Sequence, residues 1–386
     1  MNEGMMSNAG CSTMMQQDII QIGAVGAGGF GLFALQQFLQ VPGTQLVAMA
    51  GTHQAAAVAM ARRFGVADMH EVDDLLALPE VNLVYIATPP FLHYQQARVA
   101  LAAGKHVLCE KPLSLTVADA DQLLAMAGER GLLCATNLMQ RYNPLCESVR
   151  RLIESRLLGE CLHGSFVNCA GDEGLGPDHW FWDPKKSGGI FIEHGVHFFD
   201  LFASWLGEGQ VVAAQRGLRP GSGLEEQVQC TVRHANGALV NHLHSFTQTG
   251  RMDRQEFRFL FERGDLTLEE WVPVRARIRA VVNEEQTRRL LELFPGARLD
   301  VLASFGGDQR AALGRHKHLD ISQKIDLHYG QGDDKMRRYS ELLRDVFTDQ
   351  AAWVRSRTHV RRVTERNGWD SLVMAAAASA LAMKSD

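Results

Sequence analysis

One stretch of the chain, from Gly188 to Asp200, carries side chains whose types and spacing could do acid–base chemistry. It places two histidines and two carboxylates inside an otherwise apolar run. If the run is helical, Glu193, His197 and Asp200 fall at positions i, i+4 and i+7, which lie on one face of the helix. Because an unpaired charge is costly in apolar surroundings, these groups predict a candidate active site.

Two other interpretations of this stretch remain open at this point. Glu193, His194 and His197 are competent metal ligands, as is Asp200. However, His194 and His197 are three residues apart, whereas the HExxH motif of zinc enzymes separates its histidines by four. We therefore predict that no metal binds here. The structural alternative is a buried histidine that is satisfied within the core.

The N-terminal part of the chain predicts a dinucleotide site. Residues 18–25 form a short apolar strand pattern, a GxGxxG motif follows from Gly26 to Gly31, and a helical pattern then runs to Leu39. Three glycines of such a motif allow the turn, the approach of a pyrophosphate and close packing of helix on strand, here Gly26, Gly28 and Gly31. The helix N-terminus offers N–H groups to the phosphates. A glycine-rich turn that binds nothing is the alternative.

The end of the second predicted strand indicates which dinucleotide is used. About 20 residues past the glycines, an NAD-binding domain usually places Asp or Glu on the ribose hydroxyls. Here Gly51 occupies that position and is followed by Thr52 and His53, so no carboxylate would repel a 2′-phosphate. Thr52 and His53 could instead donate hydrogen bonds to it, although both could also be ordinary helix-cap residues. The pattern favours NADP over NAD.

Further α/β units follow, and several polar or rigid residues come at the ends of their strands. In doubly wound sheets, ligands bind outside the carboxyl ends of the strands. The residues at or just after such ends are Thr88, Pro89, His93, Glu110 and Lys111. A lysine directly before a proline is held rigidly, which suits chemistry better than a surface charge does.

From residue 18 to residue 206 the sequence resembles the Gfo/Idh/MocA family of NAD(P)-dependent oxidoreductases. The matching pieces come in family order, and they are Gly26–Gly31, Thr88–His93, Glu110-Lys111-Pro112, Arg141-Tyr142-Asn143-Pro144 and Gly188–Asp200. The resemblance implies an α/β fold with an N-terminal Rossmann domain, followed by an α/β domain with a large, mainly antiparallel sheet. We place the first domain at residues 18–141 and the second, for substrate binding and oligomerisation, at residues 142–386.

The same resemblance implies roles for individual residues. Lys111 would contact the oxygen of the reacting carbon, with a cis peptide bond to Pro112. His197 would act as the catalytic base, while Glu193 stands where the family usually has Asp and would orient the imidazole. His194 adds a second imidazole beside it, on the substrate side. The cleft between the domains would hold the nicotinamide and a sugar or cyclitol.

Three more side chains are candidates for substrate binding. Trp180 and Trp182 lie in the irregular stretch 171–189, and aromatic rings beside polar groups suit the apolar face of a sugar. The alternative is that both rings anchor a long loop. Arg141 could pair with a substrate carboxylate or with a structural one.

The second half of the chain predicts an antiparallel sheet and two helices. Alternating segments occur at residues 162–170, 211–217, 227–234, 238–249 and 256–262. Asn236-Gly237 between two of them is a strong hairpin signal. Helical patterns cover residues 339–354 and 369–383.

The bulk properties bound the class of protein. A chain of 386 residues favours two domains, and the net charge of −5 gives no reason to expect nucleic acid or an anionic membrane surface as partner. No apolar run reaches the roughly 18 residues of a spanning helix. The seven cysteines are scattered, which favours reduced thiols in a cytoplasmic protein. Residues 1–17 lack the pattern of a signal peptide, and we expect a disordered tail.

These observations predict an oxidoreductase that moves a hydride between a nicotinamide cofactor and a secondary alcohol of a sugar or cyclitol. One alternative on the same scaffold is elimination or glycoside cleavage assisted by a redox cofactor that cycles internally. Another is a non-catalytic regulator that senses the nucleotide. The resemblance also implies a homo-oligomer.

Overall fold

The computed structural model describes residues 19–26, 28–51, 54–69 and 71–384. The chain divides into two compact units, of which the first contains residues 19–137 and 343–369. The second contains residues 138–342 and 370–384. The N-terminal part of the first unit thus ends four residues before the predicted boundary at 141. The first unit also contains residues 343–369, which were predicted to belong to the second domain. The predicted tail, residues 1–17, lies outside the described residues.

The first unit is built on a six-stranded parallel sheet in the order β3-β2-β1-β4-β5-β6, which is the Rossmann order. This confirms the predicted Rossmann fold. Its central strands read as continuous apolar runs because helices cover both faces, as in Leu83–Ile86, where all four residues are buried. The strands are β1 (Ile20–Val25), β2 (Thr44–Ala50), β3 (Ala67–Met69), β4 (Leu83–Ile86), β5 (His106–Cys109) and β6 (Cys134–Thr136).

Five helices alternate with these strands. They are α1 (Gly29–Phe38), α2 (Gln54–Phe64), α3 (Val72–Leu76), α4 (Pro90–Ala102) and α5 (Val117–Arg130). The returning segment packs on this unit through Phe347, whose ring stacks on Phe38 with centroids 4.7 Å apart. Phe38 in turn meets Tyr85 of β4 edge-on at 4.9 Å. These fully buried rings explain why residues 343–369 belong to the first unit.

The second unit is built on a nine-stranded sheet in the order β14-β17-β13-β12-β11-β7-β10-β9-β8. Every neighbouring pair is antiparallel except β7 and β10, which confirms the predicted, mainly antiparallel sheet. Asn236-Gly237 joins β9 to β10 as predicted. The strands are β7 (Cys161–Cys169), β8 (Gly209–Leu218), β9 (Glu225–His234), β10 (Leu239–Ser245), β11 (Arg254–Phe261), β12 (Gly264–Glu269), β13 (Arg275–Val282), β14 (Arg298–Ser304) and β17 (Gln323–Tyr329).

Helices and short strands complete the chain after β6. They are α6 (Pro144–Glu154), α7 (Pro184–Ser187), α8 (Val196–Leu206), α9 (Glu284–Leu293), the strand pair β15 (Ala311–Gly314) and β16 (Lys317–Asp320), α10 (Lys335–Arg355) and α11 (Glu365–Met383). The core of the second unit is aromatic: Phe166 of β7 stacks on Phe198 of α8 with centroids 3.8 Å apart. Among the described residues, no helix combines the length and apolarity that a membrane span requires.

The first unit buries one imidazole next to two guanidinium groups. His106, at the start of β5, accepts a hydrogen bond at Nδ1 from the Leu133 N–H at 3.0 Å. Its Nε2 lies 3.2 Å from Nη2 of Arg357. Burial, followed by the charges of Arg357 and Arg361, lowers the pKa of His106 to about 4. The folded unit therefore holds this ring in its neutral form.

We expect His106 to make the protein less stable in mild acid. The unfolded chain protonates this ring near pH 6.5 and the folded chain near pH 4. Lowering the pH from 7.5 to 4.5 should therefore reduce the free energy of unfolding by about 2–3 kcal/mol through this group. In His106→Asn, an amide oxygen can still accept from Leu133. Denaturant unfolding at the two pH values should show a smaller loss for the variant, and equal losses would contradict the assignment.

Candidate active site

The Gly188–Asp200 stretch is not one regular helix, which corrects the simple helical prediction. Phe191–Gly195 forms a π-helical turn, and α8 continues from Val196. A π turn holds more residues than an α turn, so it changes the direction of the side chains before Val196 relative to those after it. Glu193 therefore does not stand in the plain i, i+4 relation to His197 that a straight α-helix would impose. Such turns occur frequently at functional sites.

The start of this stretch explains its two glycines and introduces a residue that the sequence did not indicate. Gly188 and Gly189 both have positive φ, at 80° and 88°. A Cβ on Gly188 would lie 2.8 Å from Cγ2 of Ile192, so the turn has no room for a side chain. Glu225 of β9 accepts a hydrogen bond from the Ile190 N–H at 2.8 Å. A carboxylate at this end of the helical stretch complements its dipole.

His197 lies on the first turn of α8 and is nearly buried, with 9% of its surface exposed. Its ring packs beside Trp271, with centroids 5.9 Å apart, and Trp271 meets Tyr339 edge-on at 5.0 Å. The Trp271 carbonyl accepts a hydrogen bond from the side chain of Gln140. The wall beside the imidazole is therefore fixed by packing and hydrogen bonding, as a positioned acid–base group requires. Glu193 is half-buried one turn earlier.

His194 is half-buried and surrounded by rings. Its centroid lies 5.2 Å from that of Phe198 and 5.6 Å from that of Phe246. Its Nδ1 atom lies 3.0 Å from Nδ1 of His244, a fully buried histidine of β10. The two imidazoles of the site thus have different surroundings. The ring of His197 packs beside Trp271, whereas the ring of His194 pairs with that of His244.

Arg141 makes a bidentate ion pair with Asp200. Its Nε donates to Oδ2 at 2.7 Å and its Nη2 donates to Oδ1 at 2.8 Å. The Asp200 side chain is 3% exposed, and that of Arg141 is 19% exposed. Burial raises the pKa of Asp200, while the guanidinium opposes that shift. This geometry favours the structural alternative for Arg141, because its Nε and Nη2 groups already donate to a carboxylate within the same unit.

The two tryptophans of the irregular stretch differ in exposure. Trp182 is 6% exposed, and its Nε1 donates to the Leu175 carbonyl at 3.1 Å. The guanidinium of Arg219 lies 5.2 Å from its ring centroid. This geometry favours the structural alternative, in which Trp182 anchors the loop. Trp180 is half-buried, and it stays a candidate for substrate binding.

In the first unit, Gly26, Gly28 and Gly31 differ in the room that surrounds them. Gly26 has φ of +104°, and a Cβ there would lie 2.6 Å from the Ala87 carbonyl oxygen. A Cβ on Gly31 would lie 2.5 Å from the Ala87 Cβ. Over Gly28, by contrast, a Cβ would meet no atom within 4 Å, and α1 has no acidic residue in its first turn. The backbone is therefore open to a phosphate where the helix N-terminus points.

Of the three residues that favoured NADP in the sequence, Gly51 is among the described residues. Gly51 follows β2 and is half-buried. Thr52 and His53 lie outside the described residues, so their predicted contacts with a 2′-phosphate stay a prediction.

The carboxyl of Glu110 is buried behind the end of β5. Its Oε1 accepts hydrogen bonds from the Tyr85 hydroxyl at 2.7 Å and from the Asn137 side chain at 2.8 Å. Burial raises the pKa of Glu110, and the hydrogen bonds and the nearby Lys111 charge oppose that shift. Lys111 is half-buried, and its peptide bond to Pro112 is cis, as the resemblance implied. Glu110 thus supports the segment that carries Lys111.

His93 holds two strand-end segments together. Its Nδ1 lies 2.6 Å from the Pro112 carbonyl oxygen and its Nε2 lies 2.7 Å from the Thr88 carbonyl oxygen. Since a carbonyl oxygen only accepts, a ring nitrogen that bonds to either carbonyl must be the donor. The predicted contact of His93 with a cofactor stays a prediction, and the ring itself is 1% exposed. It supports the position of the loop that follows Lys111.

Thr88 and Pro89 follow the end of β4, where the sequence predicted contacts with a cofactor. The Thr88 hydroxyl donates to Oε1 of Gln96 at 2.6 Å, and Thr88 is 7% exposed. Pro89 is the residue that precedes the first turn of α4 and is half-buried. Both residues shape the strand-end loop, and their contact with a dinucleotide stays a prediction.

The sequence did not indicate several supporting residues. Glu225, His244 and Trp271 come from strands or loops far along the chain from the residues that they support. The period of two in β10 could have indicated His244, because His242 and His244 occupy its buried positions. Within the described part of the chain, no group of three or more His, Cys, Asp or Glu residues could hold a metal ion.

A Rossmann unit with an open glycine loop, followed by a unit with a large open sheet, defines a dinucleotide-binding oxidoreductase fold. The chain belongs to the Gfo/Idh/MocA oxidoreductase family. The family model for an oxidoreductase with an NAD-binding Rossmann fold matches residues 20–138, and the model for the family's C-terminal domain matches residues 146–267.

Other proteins resemble the chain in sequence or in fold. The chain is 29% identical over 216 residues to a 1,5-anhydro-D-fructose reductase from Ensifer adhaerens, covering 54% of this chain and 64% of that protein. The WlbA dehydrogenase of Bordetella pertussis, in complex with NADH and UDP-GlcNAcA, superposes with a TM-score of 0.76 at 18% identity over 95% of this chain and 96% of that one. KijD10, a 3-ketoreductase from Actinomadura kijaniata in complex with NADP and TDP-benzene, superposes with a TM-score of 0.70 at 20% identity over 95% and 97%.

Proposed function

We propose that the protein is an NAD(P)-dependent oxidoreductase that interconverts a secondary alcohol and a ketone on a sugar or cyclitol. The observation that carries this proposal lies in the first unit. β4 stands between β1 and β5, so these two strands lie about 10 Å apart. The open backbone over Gly28 follows β1 and Lys111 follows β5, so both come at the carboxyl ends of the strands, at the same edge of the sheet. A phosphate cradle and a half-buried cation at one edge suit a hydride-transfer site.

Three residues of the chain have separate roles in this proposed reaction. We propose that Lys111 stabilises the negative charge that develops on the substrate oxygen. His197 takes the hydroxyl proton as general base. Glu193 stabilises the imidazolium that results, in the manner of the carboxylate in hydrolase triads. A nicotinamide bound in this unit would supply the acceptor for the hydride. The names of the compared proteins, which act on or bind sugar derivatives, support this class of substrate.

We propose NADP as the preferred cofactor, because position 51 is a glycine where a carboxylate would repel the 2′-phosphate. Thermal unfolding in the presence of equal concentrations of NADP⁺ and NAD⁺ measures the preference. NADP⁺ should raise the midpoint more, and Gly51→Asp should reverse the order. Stronger stabilisation of the wild type by NAD⁺ would contradict the proposal.

A panel of polyols, sugars and cyclitols, assayed with the preferred nucleotide by absorbance of the reduced nicotinamide, tests the activity. Net reduction of the nucleotide by at least one compound is the expected result. Products that form without any net change would indicate elimination or glycoside cleavage with internal cycling instead. Tight nucleotide binding without any product would indicate a regulator.

We also propose that the protein assembles from identical copies. The edge strand β8 leaves Val212 and Leu218 exposed at 43% and 44%. An edge strand with exposed apolar side chains is a ready surface for pairing. Mass photometry should show a multiple of the 42.7 kDa chain, and a monomer would contradict this proposal.

A further inference from the structure

Two buried histidines of β10 stand behind the active-site stretch. His242 and His244 are 1% and 0% exposed, and they share the inner face of the sheet because side chains alternate along a strand. Their rings are nearly parallel, with centroids 6.3 Å apart. Of the two, His244 makes the 3.0 Å contact with Nδ1 of His194.

His244 is held neutral by its surroundings. The rings of Phe166, Phe198 and Phe191 lie with centroids 5.4, 5.6 and 6.2 Å from its own. Burial, with the charge of a protonated His194 as a second cause, lowers the pKa of His244 well below its usual value. A neutral imidazole carries one N–H, so one of the two Nδ1 atoms donates and the other accepts.

The position of the N–H on His244 follows from what surrounds its other nitrogen. Among the described residues, Nε2 of His244 is buried and has no hydrogen-bond partner. A proton on Nε2 would leave a buried N–H without an acceptor, and such orphaned donors are rare in native structures. The proton therefore lies on Nδ1, which donates to Nδ1 of His194.

We propose that His244 is a positioning residue that holds His194 in its Nε2–H form, so that His194 presents an N–H donor to an oxygen of the substrate. This inference rests on the proposed function and deepens it. The rings of Phe198 and Phe246 pack on His194 and fix its plane. The N–H consequently has both a defined tautomer and a defined direction.

The chemistry of the donor indicates which substrates it recognises. His194 and His197 both pack against Phe198, whose ring centroid lies 5.2 Å from that of His194 and 6.2 Å from that of His197. The oxygen that His194 contacts thus belongs to a position close to the reacting carbon. Hydroxyl and carbonyl oxygens both accept, so the contact persists in both oxidation states and contributes mainly to binding. The favoured substrates are those with a second oxygen beside the reacting alcohol.

Nitrogen-15 NMR of the nucleotide-free protein, labelled at histidine, tests the tautomer independently of any substrate. Wild-type His194 should show the Nε2–H pattern and His244 the Nδ1–H pattern. His244→Leu should release His194 into a mixture of tautomers. His244→Asn, whose amide N–H can replace the donor, should retain the wild-type pattern. His242→Leu is the matched control, because it removes an equally buried imidazole from the same strand, and neither ring nitrogen of His242 has a hydrogen-bond partner among the described residues.

Kinetics provide the second measurement. His244→Leu should raise KM for the substrate by about tenfold with kcat within about threefold of wild type. His244→Asn and His242→Leu should both stay near the wild-type KM. An Nε2–H pattern for wild-type His244, or an unchanged His194 pattern in His244→Leu, would overturn the proposal. If no compound is turned over, the proposed function fails while the NMR result still decides the pairing. If His244→Leu does not fold, the wild-type and His244→Asn spectra decide it.

Discussion

His197→Ala should lower turnover of the true substrate by roughly 10²–10⁴ while the affinity for the dinucleotide stays unchanged. The reason is that alcohol oxidation needs the hydroxyl proton to leave as the hydride does, and His197 is the imidazole on the first turn of α8. Its ring is 9% exposed and its orientation is fixed by Trp271. Steady-state kinetics with the preferred nucleotide measure the change in kcat, and nucleotide titration measures the affinity.

Two further variants make the His197 result specific. His197→Gln keeps hydrogen-bonding capacity without an acid–base group, and it should be as slow as His197→Ala. His163→Ala removes a histidine of β7 whose Nε2 lies 3.1 Å from Nδ2 of Asn241 on the exposed side of the sheet, and it should leave turnover unchanged. Turnover of His197→Ala within about threefold of wild type would refute its role as the base.

Arg141→Met should destabilise the protein by about 3–5 kcal/mol, because it leaves the carboxylate of Asp200 buried without its partner. Asp200 is 3% exposed, and burial already raises its pKa. Loss of the guanidinium raises that pKa further, so protonation limits the damage in acid and the loss grows as the pH rises through the carboxyl range. Denaturant unfolding at pH 5 and pH 8 should therefore show the larger loss at pH 8.

The double variant Arg141→Met, Asp200→Leu separates the two interpretations of Arg141. Replacing a buried ion pair by apolar residues of similar size is often neutral, so the double variant should recover most of the lost stability. If Arg141 instead binds a substrate carboxylate, Arg141→Met would keep its stability and raise KM for acidic substrates only.

The sequence predicted the parts of the site that are local in the chain. The glycine loop combines strand, turn and helix within about 20 residues, and the tight approach of Gly26 and Gly31 to Ala87 is what the motif specifies. Lys111 and His197 were candidates from their places in the chain, and the family resemblance implied their individual roles. The π turn at Phe191–Gly195 was not predicted, since its hydrogen-bonding pattern depends on packing against distant residues rather than on local periodicity.

The supporting groups could not be predicted because they depend on long-range pairing. His244 reaches His194 across a sequence separation of 50 residues, and Glu225 reaches Ile190 across 35. Which strand faces the active-site stretch depends on the order of the sheet. The parallel pairing of β7 with β10 inside an antiparallel sheet has no local signal in the sequence.

The fold was predicted well where the patterns were continuous and poorly where charges interrupt them. Strand β13 alternates arginines with apolar residues, and its partner β17 carries the acidic Asp326. Arg277 and Arg279 both donate to this carboxylate, with shortest distances of 2.6 and 3.0 Å. The charged face of this part of the sheet is therefore paired internally. The return of residues 343–369 to the first unit rests on the Phe38–Phe347 stack, which no local pattern indicates.

The transfer of a labelled hydride tests the central claim most directly. The protein is supplied with the preferred reduced nucleotide carrying deuterium at C4 of the nicotinamide, in each of its two stereochemical forms, and with a panel of keto-sugars and keto-cyclitols. Mass spectrometry then locates the label in the products. We predict that one form places deuterium on the new carbinol carbon and that Lys111→Met and His197→Ala slow this transfer. Retention of all deuterium on the nucleotide across the panel, or products of elimination without transfer, would contradict the assignment of a dehydrogenase.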